Sequence, residues 1–292
     1  MENFHNKVAV ITGAASGIGK SIAERCAKEG MRIVLADIEE ETLYRTERDL
    51  KAIGAETLAV VTDVGKEKDV NLLAEKTLQA FGEVHLLFNN AGVGGGTMLW
   101  ESTLADWQWV MNVNLWGVIY ATRSFVPIML KQNNECHIVN TASRAGLETG
   151  PFNGIYRVTK HAVVSFSETL YHELKTVNTK IGVSVLCPGF VNTQICDAHR
   201  NRPENLANPL ETQKATPEGK MVDLMIREAV ADGISPEEVA EITFRAIEKN
   251  QFYILTDTEA KGGVKHRMAA IINGENPAAI IPEALKVKMT VQ

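Results

Sequence analysis

Val8-Ala9-Val10-Ile11-Thr12-Gly13-Ala14-Ala15-Ser16-Gly17-Ile18-Gly19 is an apolar, β-branched run that breaks into glycines and then enters an amphipathic segment. The run reads as a buried strand. Residues 17–29 read as a helix, with Ile18, Ile22, Cys26 and Ala27 on one face and Gly30 placed to end it. Gly13, Gly17 and Gly19 fall in the turn between them. Glycine there gives backbone freedom and room for close approach. Helix N-terminal amides facing such a turn attract a pyrophosphate. The spacing is G-x-x-x-G-x-G rather than G-x-G-x-x-G, so taken alone these glycines also fit a tight turn with close helix packing.

The alternation continues outward. Residues 32–36, 57–61, 86–88, 137–140, 182–187 and 252–255 read as further strands. Residues 39–53, 66–81, 104–130, 155–177, 221–230 and 236–248 read as helices, with Pro127 expected to bend the last turns of the long one. Near-continuously apolar strands separated by helices predict a parallel sheet covered on both faces. Right-handed crossovers make it an α/β, doubly wound sheet of about seven strands in a single domain. No Pro/Gly linker divides the chain. Residues 1–257 are expected to form the catalytic domain, with a variable substrate segment at 194–230. Residues 258–292 read as a C-terminal extension, with a basic helix-like piece at 264–272 and then a Pro-rich arm, packing on the domain or on a neighbouring subunit.

Bulk properties narrow the function classes. The 292 residues are 45% hydrophobic, with 30 basic and 36 acidic side chains and a net charge of -6. There is no basic stripe, so nucleic acid is not an expected partner. The N-terminus lacks a secretion pattern. The most apolar stretch, 110–130, contains two Asn and an Arg, and is expected to be a buried helix rather than a membrane span. Cys26, Cys136, Cys187 and Cys196 read as free thiols of a reducing, cytoplasmic compartment, and no Cys/His spacing suggests a metal.

Asp37 ends the second strand, 18 residues beyond Gly19. A carboxylate there accepts hydrogen bonds from both adenosine ribose hydroxyls and repels a 2′-phosphate. Ala15, Ser16 and Ile38 supply no compensating charge, and Arg32 lies at the wrong end of its strand. NAD is therefore expected over NADP, with simple capping of the second helix as the plainer alternative. Asp63 and Val64, at the end of the third strand, are placed for the adenine. Asn89-Asn90-Ala91-Gly92 ends the fourth strand on the same rim, where asparagines also simply stabilise turns.

Proton chemistry is suggested by Ser143, Tyr156 and Lys160. Carbonyl reduction needs a proton donor at oxygen as hydride reaches carbon, and alcohol oxidation needs the reverse. Tyr156 serves if its pKa, ordinarily about 10, falls. Lys160 lies one helical turn on, where an ammonium would favour the phenolate. Ser143 follows the fifth strand, where its hydroxyl reaches a substrate oxygen.

Here the chain resembles the short-chain dehydrogenase/reductase family. Thr12–Gly19 is similar to that family's T-G-x-x-x-G-I-G loop. Asp63, Asn89-Asn90-Ala91-Gly92, Asn114, Ser143, Tyr156-x-x-x-Lys160 and Pro188-Gly189 followed by Thr193 match its ordered motifs over about residues 5–257. The resemblance implies a Rossmann-type fold and a metal-free 4-pro-S hydride transfer. It makes Tyr156 the general acid/base, Lys160 the group that lowers its pKa and holds the nicotinamide ribose, and Ser143 the group that polarises the substrate. Asn114 would position a proton-relay water. Ser16, Gly17, Ile18, Asn90, Ala91, Gly92, Pro188, Gly189, Val191 and Thr193 would border the dinucleotide. It also implies a homodimer or homotetramer.

Expected pocket walls are Gly94, Met98, Arg144, Ala145, Leu147, Phe152, Asn153, Phe190 and Ile195, plus 196–225. They are mostly apolar, which predicts an apolar or cyclic secondary alcohol or ketone. Arg144 is either a carboxylate anchor or, more in keeping with its type, a surface ion pair. Residues 196–216 are either a lid or a fixed loop. Trp100, Trp107, Trp109 and Trp116 are expected in core or interface packing. The competing readings are an NADP-dependent biosynthetic ketone reductase, a non-catalytic nucleotide-binding regulator, and a methyltransferase, which needs no Tyr/Lys pair.

Overall fold

The structure, a computed structural model, describes residues 1, 3–95, 98–208 and 217–279. Gly96, residues 209–216 of the expected lid, and residues 280–292 of the expected arm lie outside the described residues.

Seven parallel strands form one sheet in the order β3-β2-β1-β4-β5-β6-β7. They are β1 (Val8–Thr12), β2 (Arg32–Asp37), β3 (Thr57–Val61), β4 (Leu86–Asn89), β5 (Cys136–Thr141), β6 (Ile181–Cys187) and β7 (Tyr253–Leu255). This is the expected doubly wound, Rossmann-type α/β fold. From β1 the chain moves one way to β2 and β3, then returns to place β4 on the other side. That reversal opens a crevice at the carboxyl ends of β1 and β4, where such sheets bind ligands.

Alternation along β1 sends side chains to two layers. Ala9 and Ile11 join a core with Ile22 and Cys26 of α1 (Gly17–Lys28), Leu43 and Leu50 of α2 (Glu40–Ala52), and Phe244 of α8 (Pro236–Glu248). Val8 and Val10 face the other core, with Leu73 of α3 (Glu67–Phe81), Phe125 and Met129 of α5 (Gly117–Gln132), and Leu170 and Leu174 of α6 (Gly154–Thr176). α7 (Pro217–Ala231) and α9 (Glu259–Asn273) complete the helices described.

The long helix departs from expectation at a different place. α4 (Leu104–Met111) starts from a Thr103/Asp106 capping box and runs into a π turn, Asn112–Trp116, which continues as α5 straight through Pro127. The interruption of α geometry lies at the π turn, and the helix continues past Pro127. Among the described residues this is the one helix long and apolar enough to cross a membrane. Here it packs against α3, β4 and α6. The tryptophans divide: Trp109 is buried and Trp107 packs beside it, whereas Trp100 is 79% exposed and Trp116 stacks on Tyr120 at the surface. All four cysteines are free, and Cys26, Cys136 and Cys187 are buried.

Candidate active site

The carboxyl ends of the strands open on one cleft of about 920 Å³. Its floor is the glycine turn. Gly13 (φ 68°) and Gly17 (φ 52°) adopt left-handed conformations that favour glycine. Gly19 does not face the cleft. It lies against the turn, where a Cβ would collide with the Gly13 carbonyl oxygen and stand 2.7 Å from Asn90 Nδ2. Its lack of a side chain lets α1 begin directly under the turn, leaving Gly13, Ser16, Gly17 and Ile18 to line the cleft. Asn90 braces the turn: its Nδ2 donates to Thr12 O (3.1 Å) and its N–H to Thr12 Oγ1 (2.9 Å). Thr12 is a bracing residue the sequence reading did not single out. Asn89 points elsewhere, donating to buried Asn140 Oδ1 at 2.8 Å.

Asp37 stands at the β2 end of the cleft. Its Oδ2 accepts the Ala15 N–H (2.9 Å) and its Oδ1 the Glu39 N–H (3.0 Å), so it holds both the glycine turn and the start of α2 while lining the cleft. Burial raises its pKa, and the backbone amides pull against that. Arg200 is a cation at this end, and it pairs with Glu39 Oε1 at 2.6 Å, while Asn201 Nδ2 donates to the same oxygen at 2.7 Å. The sequence offered no motif for that contact. Asp63 lines the cleft with Val64, but its carboxylate is partly engaged by the Gly65 N–H (3.0 Å) and the Lys66 ammonium (3.0 Å). Ala91 and Gly92 continue the wall. Pro188, Gly189, Val191 and Thr193 close it from β6, with Thr193 folded back against Gly17.

Across the cleft, α6 presents Tyr156 and Lys160. Lys160 is buried. Its Nζ donates to Thr141 O at 2.8 Å and sits 5.5 Å from the Tyr156 ring centroid. Burial lowers its pKa to about 8. Burial pushes the Tyr156 phenol up, while its hydrogen bond with Ser143, and then the Arg157 charge, pull it down. The downward pull therefore comes from Ser143 and Arg157 here, whereas Lys160 has itself been made less willing to hold its charge. Ser143 Oγ also accepts the Ala145 N–H at 3.1 Å. Asn114 sits behind the wall in the π turn. Its Oδ1 accepts the Val93 N–H (2.8 Å), and its Nδ2 donates to Val93 O (3.0 Å) and Thr159 Oγ1 (3.2 Å). A point beside Gly92 lies 3.4 Å from Lys160 Nζ and 3.5 Å from Asn114 Oδ1.

Ala145, Phe152, Asn153 and Phe190 line the substrate side, with Gly94, Ile195 and, from α7, Val222, Ile226 and Val230. Phe152 (φ 60°) and Asn153 (φ 55°) are both left-handed, a conformation costly for non-glycine residues and concentrated at functional sites. Two expected walls fail. Met98 does not reach the cleft, and Leu147 turns into a hydrophobic cluster with Val163, Val164 and Val185. Arg144 borders the cleft, and it is the ion pair rather than the free anchor, with its outer partner Glu259 at the surface. The Arg144 side chain is 12% exposed and ion-paired with Glu148 and Glu259.

The glycine turn and Asp37 thus line one side of the cleft, and Ser143, Tyr156 and Lys160 gather on the other. The family profile of the short chain dehydrogenase matches residues 7–204, and the chain belongs to that family. A crystal structure of a short chain dehydrogenase/reductase from Burkholderia phymatum in complex with NAD is 49% identical, with a TM-score of 0.93, covering 97% of this chain and 100% of that one. A CLA biosynthesis dehydrogenase/reductase of Lactiplantibacillus plantarum is 34% identical over 98% of this chain and 100% of its own length. A 1-deoxy-11-beta-hydroxypentalenate dehydrogenase of Streptomyces exfoliatus is 31% identical over 89% and 86%. The protein is an NAD-dependent oxidoreductase.

Proposed function

We propose that the enzyme interconverts a secondary alcohol and a ketone on an apolar or cyclic substrate, with Tyr156 as general acid/base. The observation that carries this reading is the meeting of Ser143, Tyr156 and Lys160 on the wall opposite the glycine turn. Bound NAD supplies the hydride acceptor. In oxidation the Tyr156 phenolate takes the hydroxyl proton while hydride leaves the same carbon, and reduction returns both. Ser143 orients the substrate oxygen. Lys160 holds the nicotinamide ribose, and Asn114 shapes a proton path from Lys160 past Gly92. Gly13, Ser16, Gly17, Ile18, Asp37, Asp63, Val64, Asn90, Ala91, Gly92, Pro188, Gly189, Val191 and Thr193 hold the dinucleotide, and Gly19 lets α1 approach the turn. Ala145, Phe152, Asn153 and Phe190 contact the substrate. The apolar residues of α7 along the cleft support an apolar ligand, as does the relative named for oxidising a hydroxylated compound.

The enzyme works in the cytoplasm as a homodimer or homotetramer; the association is supported by the exposed Trp116 on the long helix and Val158 on α6. Residues 1–257 form the catalytic unit, and 258–292 are an extension of it.

The test is NADH formation, followed by absorbance, over cyclic, terpenoid, steroid and short-chain secondary alcohols, with NADP in parallel. NAD-dependent turnover of a bulky apolar alcohol is expected. Tyr156→Phe should lose roughly 10²–10⁴ of it while NADH affinity stays within twofold. Turnover with NADP but not NAD would sink the reading of Asp37.

A further inference from the structure

Ser143 lies two residues beyond β5 and caps a single 3₁₀ turn, Arg144–Gly146. The Arg144 N–H donates to Pro188 O at 2.8 Å, joining the serine loop to the loop that closes the cleft from β6. Gly146 lies so close to α6 that a Cβ there would stand 2.6 Å from the Lys160 carbonyl oxygen. The serine, lysine and Pro188 segments are thus packed as one body. The Arg144 side chain leaves that body in the direction of the C-terminal extension.

Arg144 Nε donates to Glu148 Oε2 at 2.7 Å, and its Nη1 reaches Glu259 Oε2 at 2.9 Å and Asp257 Oδ1 at 3.6 Å. Asp257 Oδ1 accepts the Ala260 N–H at 2.7 Å, so the same carboxylate starts α9. Its other oxygen fills the space a side chain on Gly189 would need, and Thr256 Oγ1 accepts the Gly189 N–H at 3.1 Å. One turn further along α9, Gly263 closes on Glu148 so tightly that a Cβ would collide with its carboxylate. Arg267 Nη1 then donates to Leu147 O at 3.4 Å. These contacts of residues 256–267 land on the Ser143 loop or on Gly189. None of those residues lines the cleft.

We propose that Arg144 is a positioning residue, and α9 a brace, that together hold the Ser143 and Pro188–Gly189 loops in catalytic register. The proposal rests on Ser143 being the group that orients substrate. A guanidinium suits the task because its planar fork fixes directions as well as charge, which an ammonium does not. A small displacement of an orienting hydroxyl is enough to slow chemistry by up to about 10²-fold.

The test uses the full-length protein with NADH bound. Glu259→Gln is the mild variant, because Glu259 is half exposed and its loss leaves Arg144 paired with Glu148. Arg144→Met is the severe one, and Arg144→Lys the conservative rescue. Hydrogen–deuterium exchange is read on peptides covering 141–148 and 187–191, with 8–20 as an internal reference. Expected is exchange at least about fivefold faster in both loops with the reference unchanged. With an alcohol that the wild type oxidises, kcat should fall about tenfold in Glu259→Gln at constant KM and NADH affinity. Arg144→Lys should recover part of what Arg144→Met loses. Unchanged exchange in both loops overturns the proposal whether or not a substrate is in hand. So does a loss of turnover matched by a loss of NADH affinity. Full turnover in both variants beside an inactive Tyr156→Phe defeats the brace alone. An active Tyr156→Phe defeats the reading of the site, while exchange still decides the brace.

Discussion

At Tyr156 two influences oppose each other: burial raises the phenol pKa, and the Ser143 hydrogen bond lowers it. In the proposed mechanism alcohol oxidation uses the phenolate, so its rate rises with pH through that pKa, whereas ketone reduction uses the phenol and falls through it. Ser143→Ala removes the larger downward pull. The ascending limb of kcat/KM for oxidation should therefore move alkaline. A limb that stays in place in Ser143→Ala would show that the hydroxyl does not tune Tyr156. Tyr156, Lys160 and Asp37 were legible because each is marked by residue type and local spacing. Arg200 was not, because its partner Glu39 is 161 residues away and neither belongs to a motif. Arg144 was visible as a candidate, but its partners lie four and 115 residues away, and only folding brings the farther one near.

The π turn at Asn112–Trp116 shows what element-level reading misses. Apolar periodicity over 104–130 identifies a helix, but an inserted residue shifts the register without changing composition. The shift leaves Asn114 buried, with its amide clamping both polar groups of the Val93 backbone. Asn114→Ala would orphan a buried N–H and C=O at about 1–3 kcal/mol each. Urea unfolding should show a loss of roughly 2–6 kcal/mol on that basis, and a loss below about 1 kcal/mol would mean that water replaces the amide. Strand–turn–helix units were read more accurately. Gly30, Gly54 and Gly82 stop their helices in left-handed conformations, a purely local device that sequence displays directly.

Across the whole molecule, the sheet buries a histidine that must stay neutral. His137 lies in β5 against Ser184, Nε2 to Oγ 2.7 Å, and burial lowers its pKa to about 3. The unfolded chain binds a proton near pH 6.5 that the folded one refuses. Stability from this residue is thus complete above about pH 6.5 and is lost as pH falls toward 3, by at most about 5 kcal/mol at about 1.4 kcal/mol per unit. His137→Gln, which carries no titrating group, should flatten the fall in unfolding free energy between pH 6.5 and 4. An unchanged slope would place the acid sensitivity elsewhere, for instance at His85 or His161, whose pKa values are also lowered by burial. By itself the sequence determined the parallel sheet, the glycine turn, and the choice of Asp37, Ser143, Tyr156 and Lys160 as cleft residues, because hydrophobic period, turn chemistry and spacing are local properties of the chain. Tertiary structure alone decided that Arg144 faces α9, that Leu147 and Met98 leave the cleft, and that Arg200 closes on Glu39. Those outcomes depend on which distant segments share a surface, and the order of residues does not record that.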